Sequence, residues 1–324
     1  MGAFRARALA NHADVEQVFV GSHDPARASE LAEASGGRGG TIDEVLEAEL
    51  DALVISTVTA EHPEHVAAGA QRGLPMLCEK PISIDVADTE ATIERVREAG
   101  VELQIAFMRR FDAGFRSARE LVSTGKLGTV YSVRMCAHDH EPADERYIAT
   151  SGGIFVDLHV HDFDMARWLT GREVSEVFAT GTVRAWEAYG RQGDVDSSAM
   201  VLTMDDGLPV VVTGSRHDPV GYDFRAELLG SGDSIVVGVD DRTPVRSVQP
   251  GAPAPPINPY RGFLDRFHQA FIDETAAFVD LVLGRGPNLC PPEEALSALR
   301  VAIACETSWR ERRPVAVKGA GAVA

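Results

Sequence analysis

The chain of 324 residues is 44% hydrophobic and 25% charged, with a formal net charge of −18, a composition ordinary for a globular protein and a length that allows two domains. The acidic balance argues against nucleic-acid binding, which needs a basic stripe, and against anionic membrane surfaces. The sequence reads as having neither a transmembrane run nor a signal peptide, and its scattered cysteines (Cys78, Cys136, Cys290, Cys305) fit a reducing, cytoplasmic setting.

In chain order, residues 1–10 read as a helix, followed by an apolar run at Val15 and Val18–Val20 that ends in Gly21-Ser22-His23-Asp24-Pro25. A helix leading into a strand, with no strand before it, is the second half of a βαβ unit. A dinucleotide fold needs a strand and a glycine-rich turn ahead of that helix. Only Gly2 stands where the third glycine of G-x-G-x-x-G falls, so the first strand and first two glycines are expected to be missing. On this reading Met1 is an internal methionine of a longer frame; a chain truly starting there is expected to fold poorly and bind cofactor weakly.

Alternation continues through residue 107. Helices are expected over 26–35, 42–48 (Thr41 as N-cap, Glu44 three residues on), 63–72 and 87–99, and strands over 52–57, 76–78 and 103–107. Beyond residue 128 the pattern changes to strands over 129–137, 176–184, 198–204, 209–215, 224–230 and 234–239. A proline-rich loop follows over 249–259, then two long helices over 263–283 and 292–310. The fold class is therefore α/β: a Rossmann-type doubly wound parallel sheet, then an α+β domain with a large, mostly antiparallel sheet. The expected domains are 1–107, for dinucleotide binding, and 108–324, for substrate binding and oligomerisation, with the C-terminal helices packing back toward the first.

Two stretches carry chemistry. Cys78-Glu79-Lys80-Pro81 sets a lysine in a rigid turn after a strand. Ligands of open α/β sheets bind outside the carboxyl ends of the strands, which groups Gly21–Asp24, Thr57–His62 and Glu79–Pro81 around one crevice. The second stretch, Gly152–Asp164, reads as one helix with Asp157, His161 and Asp164 at i, i+4 and i+7 on a single stripe. An aspartate beside a histidine builds a general base. His159 and Asp162 point elsewhere on that wheel. His138-Asp139-His140 offers an alternating pair on a strand that can ligate a metal, although no metal is assigned.

These segments, with Phe107-Met108-Arg109-Arg110-Phe111-Asp112 and Gly221-Tyr222-Asp223, resemble the Gfo/Idh/MocA family of oxidoreductases, and within it most the inositol 2-dehydrogenases. The resemblance implies oxidation of a secondary hydroxyl of an inositol or related sugar by hydride transfer to NAD or NADP. It implies Lys80, Asp157 and His161 as the catalytic group, and Arg109, Asp139, Asp164 and Tyr222 as substrate holders. Cofactor contacts fall to Gly2, Ser22, His23, Thr57, Thr59, His62, Glu79 and Lys80. The acid that receives the adenosine ribose in NAD enzymes is replaced by Ser22 and His23, which suits a 2′-phosphate, so NADP is expected to be tolerated or preferred. The family also implies a homodimer or homotetramer. The competing readings are an NAD-dependent glycoside hydrolase on the same scaffold and a catalytically impaired, truncated member.

Overall fold

The computed structural model describes residues 1–319. In chain order the elements are α1 (Gly2–Ala10), β1 (Phe19–Gly21), α2 (Pro25–Glu33), β2 (Arg38–Gly40), α3 (Ile42–Glu47), β3 (Leu53–Ile55), α4 (His62–Gln71), β4 (Met76–Glu79), α5 (Val86–Ala99) and β5 (Leu103–Ala106). There follow α6 (Ala113–Ser123), β6 (Val130–His138), α7 (Glu145–Ile148), α8 (Gly153–Asp157), α9 (Val160–Thr170), β7 (Val174–Thr182), α10 (Glu187–Arg191), β8 (Ser197–Met204), β9 (Pro209–Ser215), β10 (Asp223–Gly230) and β11 (Ser234–Val237). The last are α11 (Phe263–Arg266), α12 (His268–Val282), α13 (Pro292–Glu311) and β12 (Val315–Ala316). No helix among the described residues is long and apolar enough to cross a membrane.

The chain divides into two compact units, Met1–Met108 with Gln269–Leu296, and Arg109–His268 with Ser297–Ala324. In the first, all strand pairs are parallel and form two sheets, β1-β2 and β3-β4-β5. β4 is apolar at Met76, Leu77 and Cys78 and wholly buried there, as a strand covered on both faces must be. Phe278 of α12 packs on Leu77 and Ala106. The outer edge of β5 is closed by Ile105 N–H donating to Cys290 O at 2.8 Å and by Asn288 Nδ2 donating to Leu103 O at 2.9 Å, which satisfies backbone groups that an edge leaves open.

Local signals act as the sequence predicts. Asp24 accepts from Ala26 and Arg27 to start α2, Thr41 and Glu44 form a reciprocal capping box, and Gly100 closes α5 in the left-handed region. The strand β2, Arg-Gly-Gly, carries no strand signal and was not expected. Its glycines are a packing requirement, since a Cβ at Gly39 would lie 2.5 Å from the Ser29 backbone of α2.

In the second unit seven strands form one sheet in the order β11-β10-β6-β9-β8-β7-β12, antiparallel except for the parallel pair β6-β9. Burial alternates along β6, with Val133, Met135 and Ala137 enclosed, the period-two pattern of a sheet with one covered face. On the other face Phe178, Val201 and Val211 lie in one cross-strand row and remain exposed.

Two expected helices are broken. The segment 263–283 divides at Phe267, which is fully buried edge-on against Tyr222 and Phe224. The segment 153–164 divides at Leu158-His159, where His159 N–H reaches back five residues to Ile154 O at 3.0 Å instead of four. This widened turn lets the His159 side chain enter the core.

The first unit also buries an ionic cluster that joins three elements. Arg5 of α1, 2% exposed, pairs with Glu274 of α12 at 2.5 Å and with Glu79 at the end of β4 at 3.0 Å. Loss of water pushes the Glu274 carboxyl up to about 7 against the pull of Arg5, with Glu79 adding to the rise. A carboxyl raised above its ordinary 4.5 stabilises the fold most below that value and loses the contribution as pH climbs through about 7. The melting temperature of wild type relative to Glu274→Gln is therefore expected to fall by on the order of 5 °C between acidic and mildly alkaline buffer. A gap independent of pH in thermal-shift measurements would contradict this.

Candidate active site

In the first unit the predicted cofactor residues all lie in or beside the loops that leave the strands, apart from Gly2, which opens α1. That helix starts without a side-chain cap and without an acidic residue in its first turn, so its leading amides suit a phosphate. A Cβ at Gly2 would meet Ser56 at an ordinary 3.8 Å, so protein packing does not demand glycine there. The donor set thus fits a dinucleotide. After β1, Ser22 Oγ accepts from Asp24 N–H, and His23 Nε2 lies 2.8 Å from Glu61 Oε1. Asp24 Oδ1 caps α2 by accepting from Ala26 and Arg27 N–H.

The remaining loops are braced against each other. His62 is 1% exposed, with Nδ1 at 2.8 Å from Pro81 O and Nε2 at 3.1 Å from Thr57 O. It is a strut between the two loops. Thr57 Oγ1 meets His65 Nδ1 at 3.1 Å, and Thr59 is half-buried at the start of the following 3-10 turn. Glu79 is held by Arg5, Lys80 is half-buried, and the Lys80-Pro81 peptide is cis.

In the second unit Asp157 ends α8 and His161 stands in the first turn of α9, so the break separates them and the expected continuous stripe is not formed. Both are half-buried. Asp157 is fixed at both oxygens: Tyr147 Oη donates to Oδ1 at 2.7 Å and Arg216 Nη1 to Oδ2 at 2.9 Å. The same Nη1 lies 3.4 Å from Asp139 Oδ2. Arg216 and Tyr147 were not singled out in the sequence. An arginine just past a strand carries no local signal, and only tertiary structure brings it to Asp157.

The neighbouring acids have partners of their own. Asp164, 0% exposed, accepts from Arg110 Nε at 3.0 Å and from its Nη2. Arg109 Nη1 pairs with Asp162 Oδ1 at 2.5 Å and its guanidinium lies over Phe224, while Nε and Nη2 are buried without a hydrogen-bond partner. Tyr222 is 5% exposed and stacks on Phe224. His159 joins a buried chain, Nδ1 to Asp162 Oδ2 and Nε2 to Ser198 Oγ, each at 2.7 Å. Burial drives the His159 pKa down despite Asp162; the neutral ring donates from Nδ1 to the carboxylate and accepts the serine hydroxyl at Nε2. A Cβ at Gly214 would lie 2.2 Å from that Nε2, so glycine is required there.

The alternating histidines do not share one centre. His138 Nδ1 faces Asp218 at 3.6 Å, while His140 bonds Asp218 O and Arg261, and Asp139 faces Arg216. Cys136, His138 and Asp223 do bring ligand atoms within 4.8 Å of one another. Arg225, however, holds both oxygens of Asp223, and burial pushes the Cys136 thiol up to about 12; both effects oppose a cation.

A parallel α/β unit with a lysine turn at its strand ends, joined to a unit with a large mixed sheet and an arginine-held aspartate, defines a two-domain, dinucleotide-dependent oxidoreductase. The chain belongs to the Gfo/Idh/MocA family: residues 1–107 match its NAD-binding Rossmann fold and residues 115–236 its C-terminal domain. It is 36% identical to a myo-inositol dehydrogenase of Streptomyces leeuwenhoekii over 88% of this chain and 87% of that one. The crystal structure of a putative myo-inositol dehydrogenase from Sinorhizobium meliloti superposes with a TM-score of 0.91 at 31% identity, covering 98% of this chain and 96% of that one. A scyllo-inositol dehydrogenase from Lactobacillus casei, solved with NAD(H) and scyllo-inositol, gives 0.87 at 25% identity over 98% and 96%.

The Arg110–Asp164 pair generates a stability test. Arg110→Met leaves a fully buried carboxylate without its guanidinium and is expected to cost about 3–5 kcal/mol in denaturant unfolding. Arg110→Met/Asp164→Leu is expected to recover most of that loss, because the uncompensated charge has gone.

Proposed function

We propose that the chain is a dehydrogenase that oxidises a secondary hydroxyl of an inositol or related sugar to a ketone, with Lys80, Asp157 and His161 as its acid–base group. The observation that carries the reading is the 36% identity over 88% of the chain to a myo-inositol dehydrogenase. The lysine turn and the fixed Asp157 support the residue roles.

A bound nicotinamide dinucleotide supplies the hydride acceptor. The α1 amides receive its phosphates, and the loops at Ser22-His23, Thr57-Thr59 and Glu79-Lys80 line its path. His161 takes the hydroxyl proton, Lys80 donates a hydrogen bond to the same oxygen as negative charge develops, and Asp157 supports the imidazolium that results. Arg109, with two buried N–H groups lacking partners, Asp139, Asp164 and Tyr222 are the substrate holders in this reading. We further assign residues 108–324 to substrate binding and self-association, as a homodimer or homotetramer, through the sheet face that exposes Phe178, Val201 and Val211.

NAD is the cofactor, and NADP is proposed to be accepted, because Ser22 and His23 can donate to a 2′-phosphate where an acid would repel it. Glu61, at 2.8 Å from His23, opposes that phosphate. Glu61→Gln is accordingly expected to lower the Kd for NADP relative to NAD, by roughly tenfold if the repulsion amounts to about 1.4 kcal/mol. Cofactor fluorescence measures this directly; an unchanged ratio rejects the role of Glu61.

The function itself is tested by following nicotinamide absorbance with myo-inositol, scyllo-inositol and common aldoses against both cofactors. His161→Gln is expected to reduce kcat by about 10²–10⁴-fold while leaving cofactor affinity nearly unchanged. Absence of net cofactor reduction with every polyol, at full cofactor binding, would overturn the dehydrogenase reading.

A further inference from the structure

We propose that Tyr147 is a specificity-determining residue whose phenol oxygen accepts a hydrogen bond from a hydroxyl of the bound polyol other than the one that is oxidised. The inference rests on the roles given above to Asp157 and to a polyol substrate.

Tyr147 stands in α7, and its Oη donates to Asp157 Oδ1 at 2.7 Å, while Arg216 Nη1 donates to the other carboxylate oxygen at 2.9 Å. A carboxylate paired with arginine is an acceptor only, so the single phenol hydrogen is committed to Asp157. What Tyr147 still offers a ligand is the acceptor side of its oxygen. That direction holds as pH changes: burial, and then the charge of Asp157, push the phenol pKa up from its ordinary value, so the proton stays on Tyr147.

The segment does not need this contact to stay in place. Asp144 caps α7 by accepting from Arg146 N–H at 2.9 Å, Ala143 N–H donates to Tyr189 Oη at 3.1 Å, Arg191 pairs with Glu145, and Ile148 is buried. The Tyr147 ring, by contrast, is 50% exposed and contributes little to the core. A half-exposed ring whose polar end is fixed on a half-buried carboxylate is placed to meet a ligand that approaches Asp157. An acceptor of fixed direction selects a hydroxyl donor and gives nothing to a hydrogen atom standing in its place.

The test compares Tyr147→Phe with wild type on myo-inositol and on analogues lacking, one at a time, each hydroxyl except the one oxidised, by kcat/KM at saturating NAD⁺. Loss of one oxygen from a half-exposed ring spares the core, and the variant is expected to melt close to wild type. On myo-inositol kcat/KM should fall by roughly 10–100-fold. One analogue, lacking the contacted hydroxyl, should be about as poor for wild type as for the variant. An equal loss on every substrate would mean that Tyr147 acts only through Asp157, and no loss would make it a plain surface residue; either result overturns the proposal. If no cyclitol reduces the cofactor at full cofactor binding, the dehydrogenase reading falls and this assignment with it, whereas turnover with a uniform loss rejects the role of Tyr147 alone.

Discussion

Burying acids on a short helical segment is the demand around which the second unit is arranged. Between residues 157 and 164 the chain carries Asp157, Asp162 and Asp164, and the last two are almost fully enclosed. Each is met by an arginine from another element: Arg216 after β9, then Arg109 and Arg110 from the turn that enters the unit. A buried carboxylate without a partner would cost several kcal/mol, so the segment settles where all three guanidinium groups can reach it. Burial alone would raise the Asp162 carboxyl; Arg109 and His159 outweigh it and hold the group below its usual range. The half-buried His161 is thereby presented from a backbone that cannot rotate or slide without separating these pairs.

The first unit meets a similar demand with one arginine. Arg5 is drawn inside α1 by Glu79 and Glu274, and this ties the helix whose N-terminus suits phosphate to the strand end that carries Lys80. His62, bonded at Pro81 O and Thr57 O, braces the same turn from the neighbouring loop. A lysine on a flexible turn would sample many positions, whereas here the residues on both sides of it are held by buried polar contacts.

Much of the architecture was legible because the relevant signals are local. Alternating helical and strand patterns gave the parallel unit, and consecutive strands with turn residues gave the mixed sheet. Asp24, Thr41 with Glu44, and Gly100 marked helix ends by chemistry that depends on a few neighbours. The failures share a different cause. β2 is two-thirds glycine and exists because α2 lies against it; the helices at 153–164 and 263–283 break because His159 and Phe267 gain more from entering a core than from a regular turn. Nothing within reach along the chain announces such a preference.

What the sequence by itself determined is the family and a set of candidate groups in their frame: a lysine after a buried strand, and an aspartate and a histidine four residues apart. Tertiary structure decided what each polar group does. It assigned Asp164 to Arg110 and His62 to a strut, and made His159 the centre of a buried hydrogen-bonded chain. It also brought Arg216 to Asp157 across fifty-nine positions of sequence. A carboxylate or imidazole has the same chemistry wherever it stands in the chain. Whether it faces a ligand or an internal counter-charge depends on which distant side chain reaches it first, and that is fixed only when the strands and helices pack.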